Sequence, residues 1–328
     1  MSMSPAEEGA STPNTSSEAI SSESHATDDA ISKLPRRGEL FLYKNFWFRR
    51  VFLERIMLLQ ASFKARDDDV ILATNPKCGT TWLKALAFTI INRSRYEFSN
   101  HPLLTCHPQQ VISTIDVETP LNGDLACIET LPSPRILATH MPFSLLPGSI
   151  GIQGCRIVYI CRDPKDAFVS WWHFTSEFFR EKIDIDVAFD MFCEGISNYG
   201  PFWDHCLEYW TESSTKTDRV LFLKYEEMVL EPVKYVRKLA SFLGASFTSE
   251  EEDGKIPEEV VRLCSFNTLS ALNANEAQVV QRGNIVVKKS AYFRRGKVGD
   301  WVNHISEEMG RKLDDIVEEK LRGSGLVF

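Results

Sequence analysis

Four places in the sequence gather side chains able to hold an anion or move a proton. The first is Pro76-Lys77-Cys78-Gly79-Thr80-Thr81-Trp82, where a lysine, a glycine and two hydroxyls fall together. If a helix starts there, its first amides have no internal partner, and with the helix dipole they form a seat for an anion. Gly79 lets the backbone approach that anion closely, because it carries no Cβ. The second is His140, in Thr139-His140-Met141-Pro142; an imidazole titrates near neutrality and is suited to take a proton from a hydroxyl. The third is Arg162 with Ser170 eight residues on, about two helical turns away. A guanidinium and a hydroxyl at one mouth suit a phosphate monoester. The fourth is the stretch Lys288 to Trp301, in which Arg294, Arg295 and Lys297 lie among Gly296, Gly299, Tyr292 and Phe293.

The surrounding pattern names the elements that must position these groups. Val70 to Ala73 is apolar and Leu83 to Ile91 has helical character, which reads as strand, tight loop, helix. Arg135 to Thr139 predicts a short strand with His140 at its end, and Pro142 forces an extended exit. The carboxyl ends of strands are where open α/β sheets bind ligands. Arg156 to Cys161 predicts a buried strand ending in Arg162; Asp163 can cap the following helix, with Pro164 in its first turn. A second buried strand, Val220 to Leu223, runs into Lys224-Tyr225.

Alternating strand and helix signals predict a single α/β domain, a parallel sheet of about four or five strands flanked by helices. Leu40 to Phe63 opens with the entry segment Tyr43-Lys44-Asn45-Phe46-Trp47 and continues as an amphipathic helix with Phe48, Val51, Phe52, Ile56 and Leu59 inward. Residues 94–135 carry prolines at 102, 108, 120, 132 and 134 and read as an irregular lid or acceptor wall. Residues 183–215 predict two aromatic-rich helices, 232–243 and 258–264 outer helices, and Gly310 to Leu321 a last amphipathic helix.

Bulk properties exclude several classes. The chain has 328 residues, 43% hydrophobic and 25% charged, with net charge −8. An acidic balance argues against a nucleic-acid-coating surface. Residues 1–32 are rich in Ser, Thr, Ala and Glu, with six acids and no Lys or Arg, and read as a disordered tail ahead of a folded domain at 33–328. Setting those six acids aside takes the charge from −8 to −2. No secretory signal and no apolar run of roughly 18 residues is visible, so neither export nor a membrane span is expected. The 8 cysteines form no Cys-x-x-C pair, which reads as reduced thiols in the cytoplasm rather than a metal site.

Each motif also has a plainer reading. The 76–82 loop is not a Walker loop, since its lysine precedes its glycine, and it could be an ordinary strand-to-helix turn. Arg162 could simply be held by Asp163 or Asp166. The basic stretch could be a solvated loop, and Trp47 and Trp171-Trp172 core packing.

From about Gly38 to the C-terminus the sequence resembles the cytosolic (soluble) sulfotransferases, plant-type, and these motifs occur in that family's order. Pro76 to Trp82 is similar to its P-loop-like phosphosulfate-binding loop. The resemblance implies transfer of a sulfonate from 3′-phosphoadenosine 5′-phosphosulfate (PAPS) to a hydroxyl of a small hydrophobic metabolite, such as a flavonoid, brassinosteroid or hydroxyjasmonate. It implies His140 as general base and Lys77 as the group that stabilises the leaving phosphate. Lys77, Cys78, Gly79, Thr80, Thr81 and Trp82 would bind the cofactor, the loop amides with Thr80 and Thr81 holding its 5′-phosphate. Arg162, Ser170, Arg294, Arg295 and Gly296 would hold the 3′-phosphate, and Tyr225 and Phe266 the adenine. Trp47 and Phe174 would border the acceptor. No metal, nucleic acid or membrane is implied, and a monomer is expected. Cys78 stands where the family has Ser, Arg295 where Lys is common, Val302 where Lys ends the glycine motif, and Ala138 where some animal members carry Lys. The alternatives are a nucleotide kinase or NTPase, and a non-catalytic nucleotide-binding module on the same fold.

Overall fold

The computed structural model describes residues 27–179, 182–272, 278–282 and 285–328. Among the described residues nine strands lie in three sheets: β1 (Arg36–Arg37), β2 (Leu40–Tyr43), β3 (Phe46–Arg49), β4 (Val70–Thr74), β5 (Ile136–Thr139), β6 (Arg156–Cys161), β7 (Val220–Lys224), β8 (Val279–Arg282) and β9 (Ile285–Lys288). The central sheet is four-stranded and parallel, in the order β5-β4-β6-β7.

Both faces of this sheet are covered, which is why its strands are apolar throughout rather than alternating. Ile71, Ala73, Leu137, Ile157 and Tyr159 face one buried cluster; Val70, Leu72, Ala138, Val158 and Ile160 face the other. The period of two along each strand sorts these residues between the layers. Helix Thr80–Asn92 packs on the second face and helix Phe202–Thr215 on the first. Each fully buried aliphatic side chain contributes roughly 2 kcal/mol, so the strand ends that carry the motifs are anchored by the core itself.

The N-terminal part departs from expectation. The helix starts at Arg50 rather than at Phe48, and the segment ahead of it is an antiparallel hairpin of β2 and β3. Phe48 is buried from β3, not from a helix. The turn is made by Lys44 and Asn45 with φ of 47° and 71°, a pair of left-handed residues that matches the twist of a two-residue hairpin. No glycine marks it, and the aromatic run beyond it satisfies helix and strand periods alike. Residues 27–32 are helical with Ile31 fully buried, so order begins inside the segment expected as tail. Residues 1–26 lie outside the described residues.

The 94–135 stretch contains short helices, Pro108–Val111, Ile115–Glu118 and Ala126–Glu129, and two single turns of 3-10 helix. Thr114 bridges to Ala138, with the Ala138 amide donating to Ser113 at 2.9 Å. The stretch is thereby stitched to the outer edge of the sheet.

Candidate active site

Register decides where the four motifs meet. Ala73 is level with Thr139 across β4 and β5, Thr74 with Ile160 across β4 and β6, and Cys161 with Lys224 across β6 and β7. Parallel strands end at the same edge, so Asn75, His140, Arg162 and Tyr225, each next after its strand, start their loops side by side. A cavity of about 320 Å³ opens there. Of the residues singled out in the sequence, it is lined by Lys77, Gly79, Thr80, Thr81, Trp82, His140, Arg162, Ser170, Phe174, Tyr225, Phe266, Arg294, Arg295 and Gly296.

Helix Thr80–Asn92 begins at Gly79, whose φ of +113° an L side chain rarely adopts. A Cβ there would also stand 3.0 Å from the Tyr225 ring and 3.2 Å from Ile160. Lys77 has φ of +70°, uncommon for a lysine, and its ammonium lies 3.8 Å over the Phe174 ring. Cys78 instead turns into the core and is fully buried, where burial pushes its thiol well above the usual range. Its Sγ turns back on the Pro76 carbonyl at 4.0 Å, and its amide donates to the Asn75 carbonyl at 3.3 Å.

His140 is fixed from three sides. Its Nδ1 lies 2.9 Å from the Thr74 carbonyl, which can only accept, so Nδ1 carries the proton and Nε2 is the basic nitrogen. Its amide donates to Asp116 Oδ1 at 3.0 Å, and its carbonyl accepts from His205 Nε2 at 2.9 Å. Thr74 Oγ1, 3.2 Å from Nδ1, is also 2.6 Å from Thr80 Oγ1, linking the imidazole to the anion loop. His205 is buried and its pKa is held down to about 4 by desolvation, so it supports His140 as a neutral donor.

At the other end, Asp163 Oδ1 accepts the amides of Lys165 and Asp166 at 2.9 and 3.2 Å, capping helix Pro164–Phe179 as its sequence predicts. Arg162 contacts Asp166 at 3.2 Å and also donates to the Lys297 carbonyl at 2.8 Å. The carboxylate-held and cavity-lining readings of Arg162 are therefore both true. Buried Asp166 further accepts the amides of Gly299 and Trp301 at 2.8 and 3.0 Å, so it pins the basic 288–301 stretch over the sheet edge. Arg294 pairs with Asp300 and lies 3.1 Å from His304 Nε2. Burial alone would raise the Asp300 carboxyl, but hydrogen bonds from Arg294 and Asn303 hold it below its ordinary value.

Trp47 is not among the residues lining this cavity. It sits half-buried on β3, exchanging backbone hydrogen bonds with Gly200 and Tyr199 at 2.8 and 2.7 Å. Conversely Gln109, Ser265, Tyr292 and Phe293 line the cavity without having been singled out as site residues. Tyr292 and Phe293 could have been found, since they directly precede Arg294; Gln109 carries no local signal, and only the stitching of its loop to β5 brings it in.

The cavity fits a phosphate at the end remote from the 76–82 loop on one specific ground. Among the described residues, Nε of Arg162 and Nε of Arg294 are buried without a hydrogen-bond partner. Such orphaned donors are costly unless an anion accepts from them. Gly296, which lines the same cavity, meets Phe266 so closely that a Cβ would drive into the ring.

Residues 67–325 match the family model described as "Sulfotransferase domain". The chain belongs to the sulfotransferase family. It is 43% identical to cytosolic sulfotransferase 17 of Arabidopsis thaliana over 289 residues, covering 87% of this chain and 83% of that protein. It is 41% identical to a flavonol 4′-sulfotransferase of Flaveria chlorifolia, covering 90% and 92%. Its structure resembles that of a candidate steroid sulphotransferase of Arabidopsis thaliana, with TM-score 0.73, 35% identity and 99% of each chain covered. It also resembles a mouse sulfotransferase complexed with PAP, with TM-score 0.69, 27% identity and 87% and 95% covered.

The protein is thus a plant-type, PAPS-dependent sulfotransferase on the parallel-sheet fold of that family. Membership removes the kinase and the non-catalytic alternatives. No helix among the described residues is long and apolar enough to cross a membrane.

Proposed function

We propose that this sulfotransferase moves a sulfonate from PAPS to a hydroxyl of a small, apolar, flat or alicyclic metabolite, as a monomer in the cytosol. The observation that carries the reading is the shared cavity of His140, with its Nε2 basic, and Lys77. When bound, PAPS supplies the sulfonate and departs as 3′,5′-bisphosphoadenosine. His140 Nε2 takes the proton of the acceptor hydroxyl as its oxygen bonds to sulfur. The Lys77 ammonium neutralises the charge left on the departing phosphate oxygen. The loop amides with Thr80 and Thr81 hold the 5′-phosphate, and donors fixed where charge develops are usually the largest catalytic contribution. Arg162, Ser170, Arg294 and Arg295 receive the 3′-phosphate, which ATP lacks, while Trp82, Tyr225 and Phe266 enclose the base. Trp82 and Tyr225 are already edge-to-face at 5.5 Å.

Phe174 and Tyr292, 5.3 Å apart, wall the side where Lys77 emerges. The acceptor class is supported by this aromatic wall and by relatives named for a flavonol and, as a candidate, a steroid. The test is a panel of flavonols and hydroxysteroids with labelled PAPS. His140→Ala should lower turnover roughly 10²–10⁴-fold and leave bisphosphoadenosine affinity unchanged. Normal turnover in that variant overturns the assignment of the base.

A further inference from the structure

We propose that Gln109 is a positioning residue for the donor's 5′-phosphate, acting through the Thr81 hydroxyl. The proposal rests on the donor reading above. Gln109 lies outside every motif, yet its side chain is 4% exposed and lines the cavity beside Thr81. Its amide nitrogen donates to Thr81 Oγ1 at 3.1 Å, and its amide oxygen accepts from Lys84 Nζ at 2.5 Å.

The direction of this relay is fixed by chemistry. An ammonium has donors and no acceptor, so the amide oxygen of Gln109 must face Lys84 and the NH₂ must face Thr81. Lys84 is itself fully buried and further held by the Ile112 carbonyl and Thr114 Oγ1, both at 2.7 Å. The backbone of Gln109 is held as well, because its amide donates to His107 Nδ1 at 3.1 Å in a capping box that starts helix Pro108–Val111. A hydroxyl that accepts from Gln109 has its own proton left to give. Among the described residues no acceptor takes that proton, and Thr81 lines the anion cavity. Gln109 therefore keeps Thr81 a donor toward phosphate. Thr80 lacks such a fixed partner: its hydroxyl faces another hydroxyl, Thr74, and either can donate.

The test is a double-mutant cycle on binding of 3′,5′-bisphosphoadenosine, read by calorimetry, with kcat and the PAPS KM measured alongside. Gln109→Met should weaken binding roughly tenfold, the range of one hydrogen bond to a charged group. The same change in a Thr81→Val background should have less than about a twofold effect, because the hydroxyl it orients is gone. The loss should fall on KM, with kcat at saturating PAPS nearly unchanged. Gln109→Glu guards against misfolding, since it keeps an acceptor for Lys84; without an N–H it turns Thr81 away from the phosphate, and binding should fall at least as far. Unchanged binding in Gln109→Met or Gln109→Glu overturns the proposal while leaving the donor reading intact. An equal loss with and without the Thr81 hydroxyl overturns it in favour of a purely structural role. Absence of binding by the unaltered protein overturns the donor reading and this proposal together.

Discussion

The two cationic walls of the cavity are built on opposite plans. The Asn75–Thr81 loop is set by its immediate neighbours in sequence: β4 delivers it, helix Thr80–Asn92 continues it, and Gly79 makes the turn. The 288–301 stretch leaves the β8–β9 ladder through a turn of 3-10 helix and carries its own Arg294–Asp300 pair, but it has no frame in the central sheet. It is held by residues more than a hundred positions earlier, the Asp166 carboxylate on Gly299 and Trp301 and the Arg162 guanidinium on the Lys297 carbonyl. A local frame is fixed by the strand and helix on either side of it. A remote tether can be cut without unfolding the sheet, so the two walls should differ in local opening when their own hydrogen bonds are removed.

This contrast can be broken or sharpened by experiment. The largest effect should come from Gly79→Ala. A Cβ at φ of +113° against Tyr225 and Ile160 costs about 1–3 kcal/mol of strain, and if the loop relaxes to relieve it, donor affinity falls by about ten- to a hundredfold. Affinity within twofold of the unaltered protein would show that the first wall is not rigid. Next is Asp166→Asn, which leaves one oxygen to serve two amides and Arg162. An unsatisfied buried donor costs about 1–3 kcal/mol. Hydrogen exchange of 297–301 should quicken while that of 75–81 stays unchanged; equal quickening in both would erase the distinction.

The smallest effect concerns a second long-range seat, that of His140. Burial holds His205 down to about 4, against 6.5 unfolded. The unfolded chain therefore binds the extra proton first, and stability is lost as pH falls from about 6.5 toward 4. The share of this one group in the slope is at most about 1.4 kcal/mol per pH unit, and His101 and His173, also held down by burial, add to it. His205→Gln should flatten that part of a urea-midpoint profile, and an unchanged slope would show that His205 is not held neutral.

Legibility divided along the same line. The four parallel strands, the capped helix after Arg162 and the convergence of Lys77, His140 and Arg162 could be read from local patterns, because each depends on a strand end and the few residues beyond it. The β2–β3 hairpin could not, since its turn uses Lys44 and Asn45 in left-handed conformations that no glycine announces. Trp47 is placed beside the acceptor by resemblance alone; no local pattern marks it, and its backbone pairs with Tyr199 and Gly200.

The sequence by itself determined which chemical groups stand at which strand ends, because apolar runs, caps and glycines act over a few residues. Only the tertiary structure decided how those groups are held: Asp116 and His205 on His140, Asp166 on the closing stretch, Lys84 and Gln109 behind Thr81. Those are hydrogen bonds across tens to more than a hundred positions. No periodicity encodes them. They exist because the buried edge of a parallel sheet brings distant polar groups together in a place where each must find a partner.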